Sequence, residues 1–167
     1  MLKQLKDRLK GKVVIVGIGN ILRGDDGAGP ELIKRLEFRK FSTLNSKLFL
    51  MDVGEVPENY LERITGHKPD VILLVDVVDF KSSPGSIKVI GQDALRDEGF
   101  STHNVSLKLA MKYLKEETKA DVFMLGIQPK KINPVRGKAP MNSELSGPVK
   151  KALNRIEECL IRCMNSA

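Results

Sequence analysis

Tryptophan is absent from this 167-residue chain, and tyrosine and cysteine occur twice each. Two Tyr and no Trp leave little on which nucleic-acid bases could stack. The cysteines, Cys159 and Cys163, lie four apart in a segment of helical pattern, too few and too local for a disulfide framework. No stretch approaches the roughly 20 uncharged apolar residues of a membrane span. The opening MLKQLKDRLKGK is basic, with no apolar run or cleavage site behind it. A cytoplasmic protein with no membrane insertion is therefore expected. Also missing is a G-x-S-x-G elbow around any serine, and neither cysteine has a histidine near it in sequence, so a serine or cysteine nucleophile is not expected.

What is present is the profile of one globular domain over residues 1–167, with 41% hydrophobic and 29% charged residues, 14 Gly and 8 Pro. A chain of this size buries about two-thirds of its unfolded surface, so a metal, if any, would serve chemistry rather than folding. The net charge is +7, yet the 28 basic and 21 acidic residues are interspersed rather than gathered into a stripe. That balance suits an acidic protein partner about as well as nucleic acid, and with so few aromatics no nucleic-acid partner is expected.

Lys12 to Ile18 (KVVIVGI) is β-branched without polar alternation, the mark of a strand covered on both faces of a parallel sheet. The loop GNILRGDDG follows, and a helix is expected from about Asp26 to Phe38, with Pro30 in its first turn. Lys47 to Val53 gives a second strand, about Pro57 to Ile64 a helix, and Val71 to Val78 a third, central strand. Only a short turn-rich link containing Ser82, Ser83, Pro84 and Gly85 precedes a strand at 86–90, too short for a parallel crossover, so that strand should run antiparallel. A helix at about 105–117, a strand at 121–127, a loop with Pro129, Pro134, Gly137 and Pro140, and an amphipathic helix at 145–164 complete the chain. The expected fold is a three-layer α/β/α sandwich on a five-stranded, mostly parallel mixed sheet.

In such sheets ligands bind beyond the carboxyl ends of the strands. The polar residues expected there are Asn20, Asp25 and Asp26 after the first strand, Asp52 after the second, Asp76 and Asp79 at the third, and His103 before a helix. Asp26, Asp76 and His103 offer two carboxylates and one imidazole, a set suited to a divalent first-row metal with coordination positions left open. The plain alternative has Asp26 and His103 capping helices and Asp76 hydrogen-bonded at a strand end. Asp76 resists that alternative, because a carboxylate in so apolar a run is costly to desolvate without a partner. A dinucleotide reading of GIGNILRGDDG fails at the third glycine, where Leu22 stands, although Asp52 would suit a ribose contact. His67, in the turn-like GHKPD, is expected to be an exposed loop residue without a role.

Taken together, GIGNILRGDDGAGP at 17–30, Asp52/Gly54 with Pro57, Glu58 and Asn59, LLVDVVD ending at Asp79, PGSIKVI at 84–90, STHN at 101–104 and LGIQP at 125–129 closely resemble the nickel-iron hydrogenase maturation endopeptidases. The match in order and spacing runs over nearly the whole chain, and THN and LGIQP look most like the branch that processes the large subunit of formate-hydrogenlyase-type and related membrane-bound hydrogenases. The resemblance implies that Asp26, Asp76 and His103 form the catalytic, metal-sensing site, with Asp52, Asn20 and Asp25 toward the substrate. The family's second-strand turn is usually Asp-Gly-Gly-Ser/Thr; here Val53 and Glu55 replace the first glycine and the hydroxyl residue. The implied substrate is a hydrogenase large-subunit precursor whose short C-terminal extension is removed after nickel insertion. The nickel would come with the substrate, no tightly bound cofactor is implied, and the enzyme should act as a monomer. A non-proteolytic nickel-binding assembly factor using the same trio is the alternative.

Overall fold

The computed structural model describes residues 2–39, 47–91, 104–130 and 144–165. Its sheet is built from β1 (Val13–Gly17), β2 (Leu48–Asp52), β3 (Val71–Val77), β4 (Ile87–Gly91) and β5 (Asp121–Ile127). Their order across the sheet is β2-β1-β3-β5-β4, with β3 in the middle. β1, β2, β3 and β5 run parallel, and β4 lies antiparallel on β5, Ile87 opposite Ile127. The short link between β3 and β4 dictates that reversal, as expected from the sequence. β1 is buried at every position and β3 from Val71 to Val75, as apolar runs between two helical layers must be, whereas the edge strands β2 and β4 are half-covered.

Helices cover both faces. On one side α1 (Leu2–Arg8), α2 (Ala28–Phe38) and α5 (Gly147–Asn165) place Leu5, Leu32, Leu36, Val149, Leu153 and Ile156 against the sheet. On the other side α3 (Leu61–Gly66) and α4 (Asn104–Thr118) contribute Ile64, Leu107, Met111 and Leu114. Each fully buried Leu or Ile among them stabilises the fold by about 2 kcal/mol relative to exposure. The expected three-layer α/β/α architecture is thus the observed one.

The structure adds one element to the expected set and corrects three local expectations, the helix starts near Asp26 and Pro57 and the exposure of His67. The basic opening segment is α1, whose Leu5, together with Leu9 just beyond it, is buried against the core. Arg8 clamps Asp121 at the start of β5 through Nε–Oδ2 at 2.6 Å and Nη2–Oδ1 at 2.5 Å, and its guanidinium lies 3.6 Å from the Phe123 ring centre. The helix expected from Asp26 begins instead as a 3-10 turn over Gly24–Gly27, with α2 following; the Pro57 segment divides likewise into a 3-10 turn, Pro57–Tyr60, and α3. His67 is a half-buried cap of α3, not an exposed loop residue. Its ring packs 4.2 Å from that of Phe49, and burial, with Arg63 and Lys12 nearby, lowers its pKa. Cys159 and Cys163 are buried helix-face residues, and burial pushes the Cys163 thiol up to about 11, far from a reactive thiolate.

Candidate active site

Gly17, at the carboxyl end of β1, pairs with Asp52 on one side and with Val75 on the other. Asp52 and the end of β3 therefore stand two strand spacings apart, about 10 Å. Asp76 follows Val75 directly, and the Gly24–Gly27 turn that carries Asp26 packs against the end of β3.

Close backbone approach makes this arrangement possible. Gly19 has φ +131°, and a Cβ there would lie 1.8 Å from the Asp26 carbonyl oxygen. At Gly29, in the first turn of α2, a Cβ would meet backbone atoms of Ile18 and Val75 at 2.4–2.5 Å. Only glycine lets the turn descend onto the strand ends.

Asp76 accepts a hydrogen bond at 2.6 Å from the Val77 N–H. Its pKa is pushed up to about 8, first by burial and then by the like charge of Asp26, with the Val77 N–H acting in the opposite direction. Asp26 in turn accepts the Asn20 N–H at 3.1 Å. Two carboxylates thus share one corner, one of them holding its proton at neutral pH. A divalent cation arriving there would relieve both the burial and the repulsion, releasing that proton. His103, the third member of the expected trio, lies outside the described residues, as does the rest of STHN before Asn104. Among the described residues no group of three metal-ligating side chains assembles.

Asn20 and Asp52 line the neighbouring loops. The Asn20 Oδ1 accepts the Leu22 N–H at 2.8 Å, and its Nδ2 donates to Glu55 Oε2 at 2.8 Å. Glu55, at the position where the resembling family carries a hydroxyl residue, also pairs with Arg23. With the Gly19 N–H donating to the Gly54 carbonyl at 2.8 Å, these contacts fasten the loop after β1 to the loop after β2. Asp52 is exposed, and its Oδ1 accepts the Gly54 N–H at 3.0 Å, Gly54 sitting at φ +58°. Asp25 faces away from this rim: it is buried and bonded to Lys130 and Ser146. Carboxylates stand here where a dinucleotide fold sets its phosphate, which opposes a nucleotide ligand.

The sequence reading gave no role to Gln128 of LGIQP. Its buried Oε1 accepts the N–H groups of Phe80 at 2.9 Å and Ser82 at 3.2 Å, and its Nε2 donates to Asp79 Oδ1 at 3.1 Å. A buried amide ending an apolar strand was the signal for it. Asp79 is held down to about 2 by hydrogen bonds from Lys81 and Gln128 and serves the same loop.

The described site is thus a corner of two carboxylates at the carboxyl edge of an α/β sheet, with both cysteines buried on a helix away from it. The profile of the hydrogenase maturation protease family matches residues 30–163, and the chain belongs to that family. The hydrogenase 3 maturation protease of Escherichia coli K12 is 32% identical over 145 residues, covering 86% of this chain and 88% of that protein. A nickel-iron hydrogenase maturation protease of Thermococcus kodakarensis KOD1 superposes with a TM-score of 0.81 at 30% identity, over 97% of this chain and 99% of that one. The hydrogenase maturating endopeptidase of E. coli, at 16% identity and a TM-score of 0.71, shares the fold.

Proposed function

We propose that this protease removes a short C-terminal extension from the nickel-loaded precursor of a hydrogenase large subunit, with Asp26, Asp76 and His103 reading the nickel. The observation that carries the proposal is the Asp26–Asp76 corner, where burial and the neighbouring Asp26 charge push the Asp76 carboxyl up to about 8, a cost that an arriving cation would relieve. Two carboxylates and one imidazole leave coordination positions for a metal still held by the precursor's thiolates. The nickel then belongs to the substrate, and the enzyme needs no tightly bound cofactor of its own. It acts in the cytoplasm, as a monomer formed by one domain.

In the favoured mechanism the substrate's nickel, gripped between precursor and protease, polarises the scissile carbonyl or a water as a Lewis acid. The second mechanism uses an aspartate, Asp26 or Asp52, as general base. Of these two, Asp52 is the less suited to act as that base, since it stands about 10 Å from the β3 end that leads into Asp76 and one of its oxygens closes its own turn.

The intact mass of purified precursor, nickel-loaded and nickel-free, after incubation with wild-type protein and with His103→Ala tests the proposal. Loss of one C-terminal peptide from the nickel-loaded precursor alone, abolished by the substitution, is the expected result. An unchanged mass with a stable nickel-dependent complex would favour an assembly factor.

A further inference from the structure

Asp25 precedes Asp26 in the same 3-10 turn, yet its carboxylate points into the protein and is only 6% exposed. Its Oδ1 accepts the Ser146 N–H at 2.6 Å, and its Oδ2 accepts the Lys130 N–H at 2.9 Å and the Ser146 Oγ–H at 2.9 Å. These donors are 105 and 121 residues away in sequence. Burying a carboxylate is costly, and three donors aimed at its two oxygens offset that cost at one defined position.

Those contacts close a mechanical circuit. Lys130 stands just beyond the end of β5, and β5 pairs with β3 so that Gly126 is opposite Asp76. Ser146 immediately precedes α5. From Asp26 the path runs through Asp25 to Lys130, back along β5 and across to Asp76. On the β1 side the same turn is met by the Asn20 N–H, which donates to Asp26 Oδ2 at 3.1 Å, and by the close approach at Gly19.

We infer that Asp25 is a positioning residue, fixing the separation of Asp26 from Asp76 by anchoring the Gly24–Gly27 turn to the β5 exit and the α5 start. This inference rests on the endopeptidase reading above. It gives Asp25 a task different from direct substrate contact, because both of its oxygens are occupied inside the protein.

The test is steady-state cleavage of nickel-loaded precursor by wild type, Asp25→Asn, Ser146→Ala and the double variant, at a temperature where melting curves show each fully folded. Asp25→Asn sets an amide N–H₂ against the N–H and O–H donors that the carboxylate accepts. A shift of the reacting groups by a fraction of an ångström lowers kcat by about tenfold with KM unchanged. Ser146→Ala removes one of the three donors and lowers kcat by about two- to threefold. The double variant matches Asp25→Asn, because both changes cut one linkage. A purely structural role would lower melting temperatures and leave kcat of the folded enzyme unaltered, and that result overturns the inference. So does a rise in KM at constant kcat, which would place Asp25 on the substrate. Should Asp25→Asn fail to fold, Ser146→Ala decides alone by the same criteria. A wild-type enzyme that leaves the nickel-loaded precursor uncut overturns the endopeptidase reading itself, whereas a cutting wild type with unaltered variants overturns only the role of Asp25.

Discussion

Burial pushes the Asp76 carboxyl toward its neutral form, and its energetics have a measurable sign. In the unfolded chain its carboxyl ionises near the usual 3.8, whereas in the native state it keeps its proton to about pH 8. Between those values the unfolded state binds fewer protons, so this group's contribution to stability is full below pH 4 and declines as pH rises toward 8. Asp76→Asn removes that penalty. The variant should melt about 2–5 °C higher near pH 8 and show a flatter dependence of stability on pH between 4 and 8. If Asp76 takes the proposed role toward the substrate's nickel, cleavage of nickel-loaded precursor by the variant should fall by about a hundredfold. A scan of melting temperature against pH beside a turnover assay checks both outcomes.

At the scale of elements, β1, β3 and β5 were readable because each must be apolar on both faces, and the reversal of β4 followed from a link too short to cross over. Asp26, Asp76, Asn20 and Asp52 were readable as positions at the strand ends for the same reason. The 3-10 turn over Gly24–Gly27 was not readable, since its geometry depends on backbone contacts at Gly19 and Gly29 that exist only after β1 and α2 pack. The inward turn of Asp25 escaped the sequence because its donors are more than a hundred residues away. α1 escaped because seven residues are too few to be helical on their own, and packing of Leu5 and Leu9 supplies the stability. Leu5→Ala should accordingly cost about 2–4 kcal/mol, read from denaturant unfolding. It should leave cleavage unaltered, because Arg8 of α1 meets the sheet at the start of β5, opposite the edge that carries Asp76. A loss of turnover in the fully folded variant would contradict that separation of roles.

For the molecule as a whole, the excess of basic over acidic residues is a property of surface and partner rather than of the fold. If it steers an acidic precursor to the site, the association rate should fall by roughly tenfold between 50 mM and 500 mM salt while dissociation changes little. Surface plasmon resonance on immobilised precursor reads both rates, and an association rate indifferent to salt would remove charge from the account. No described helix is long and apolar enough to cross a membrane, and the described surface consists of the faces, edges and loops of the sandwich. Of these, the carboxyl edge of the sheet gathers Asp26, Asp76, Asn20 and Asp52, held from opposite sides by the Asn20–Glu55 and Asp25–Ser146 contacts.

The claim on which the account turns is that this carboxylate corner reads the substrate's nickel by binding it. X-ray absorption at the nickel edge, recorded on nickel-loaded precursor alone and on the same precursor frozen rapidly with excess protease, measures that event at the metal itself. The account predicts that oxygen and nitrogen donors join the sulfur donors on mixing, and that Asp76→Asn diminishes the oxygen contribution. A nickel spectrum unchanged by the protease, in a mixture that goes on to release the C-terminal peptide, would contradict it.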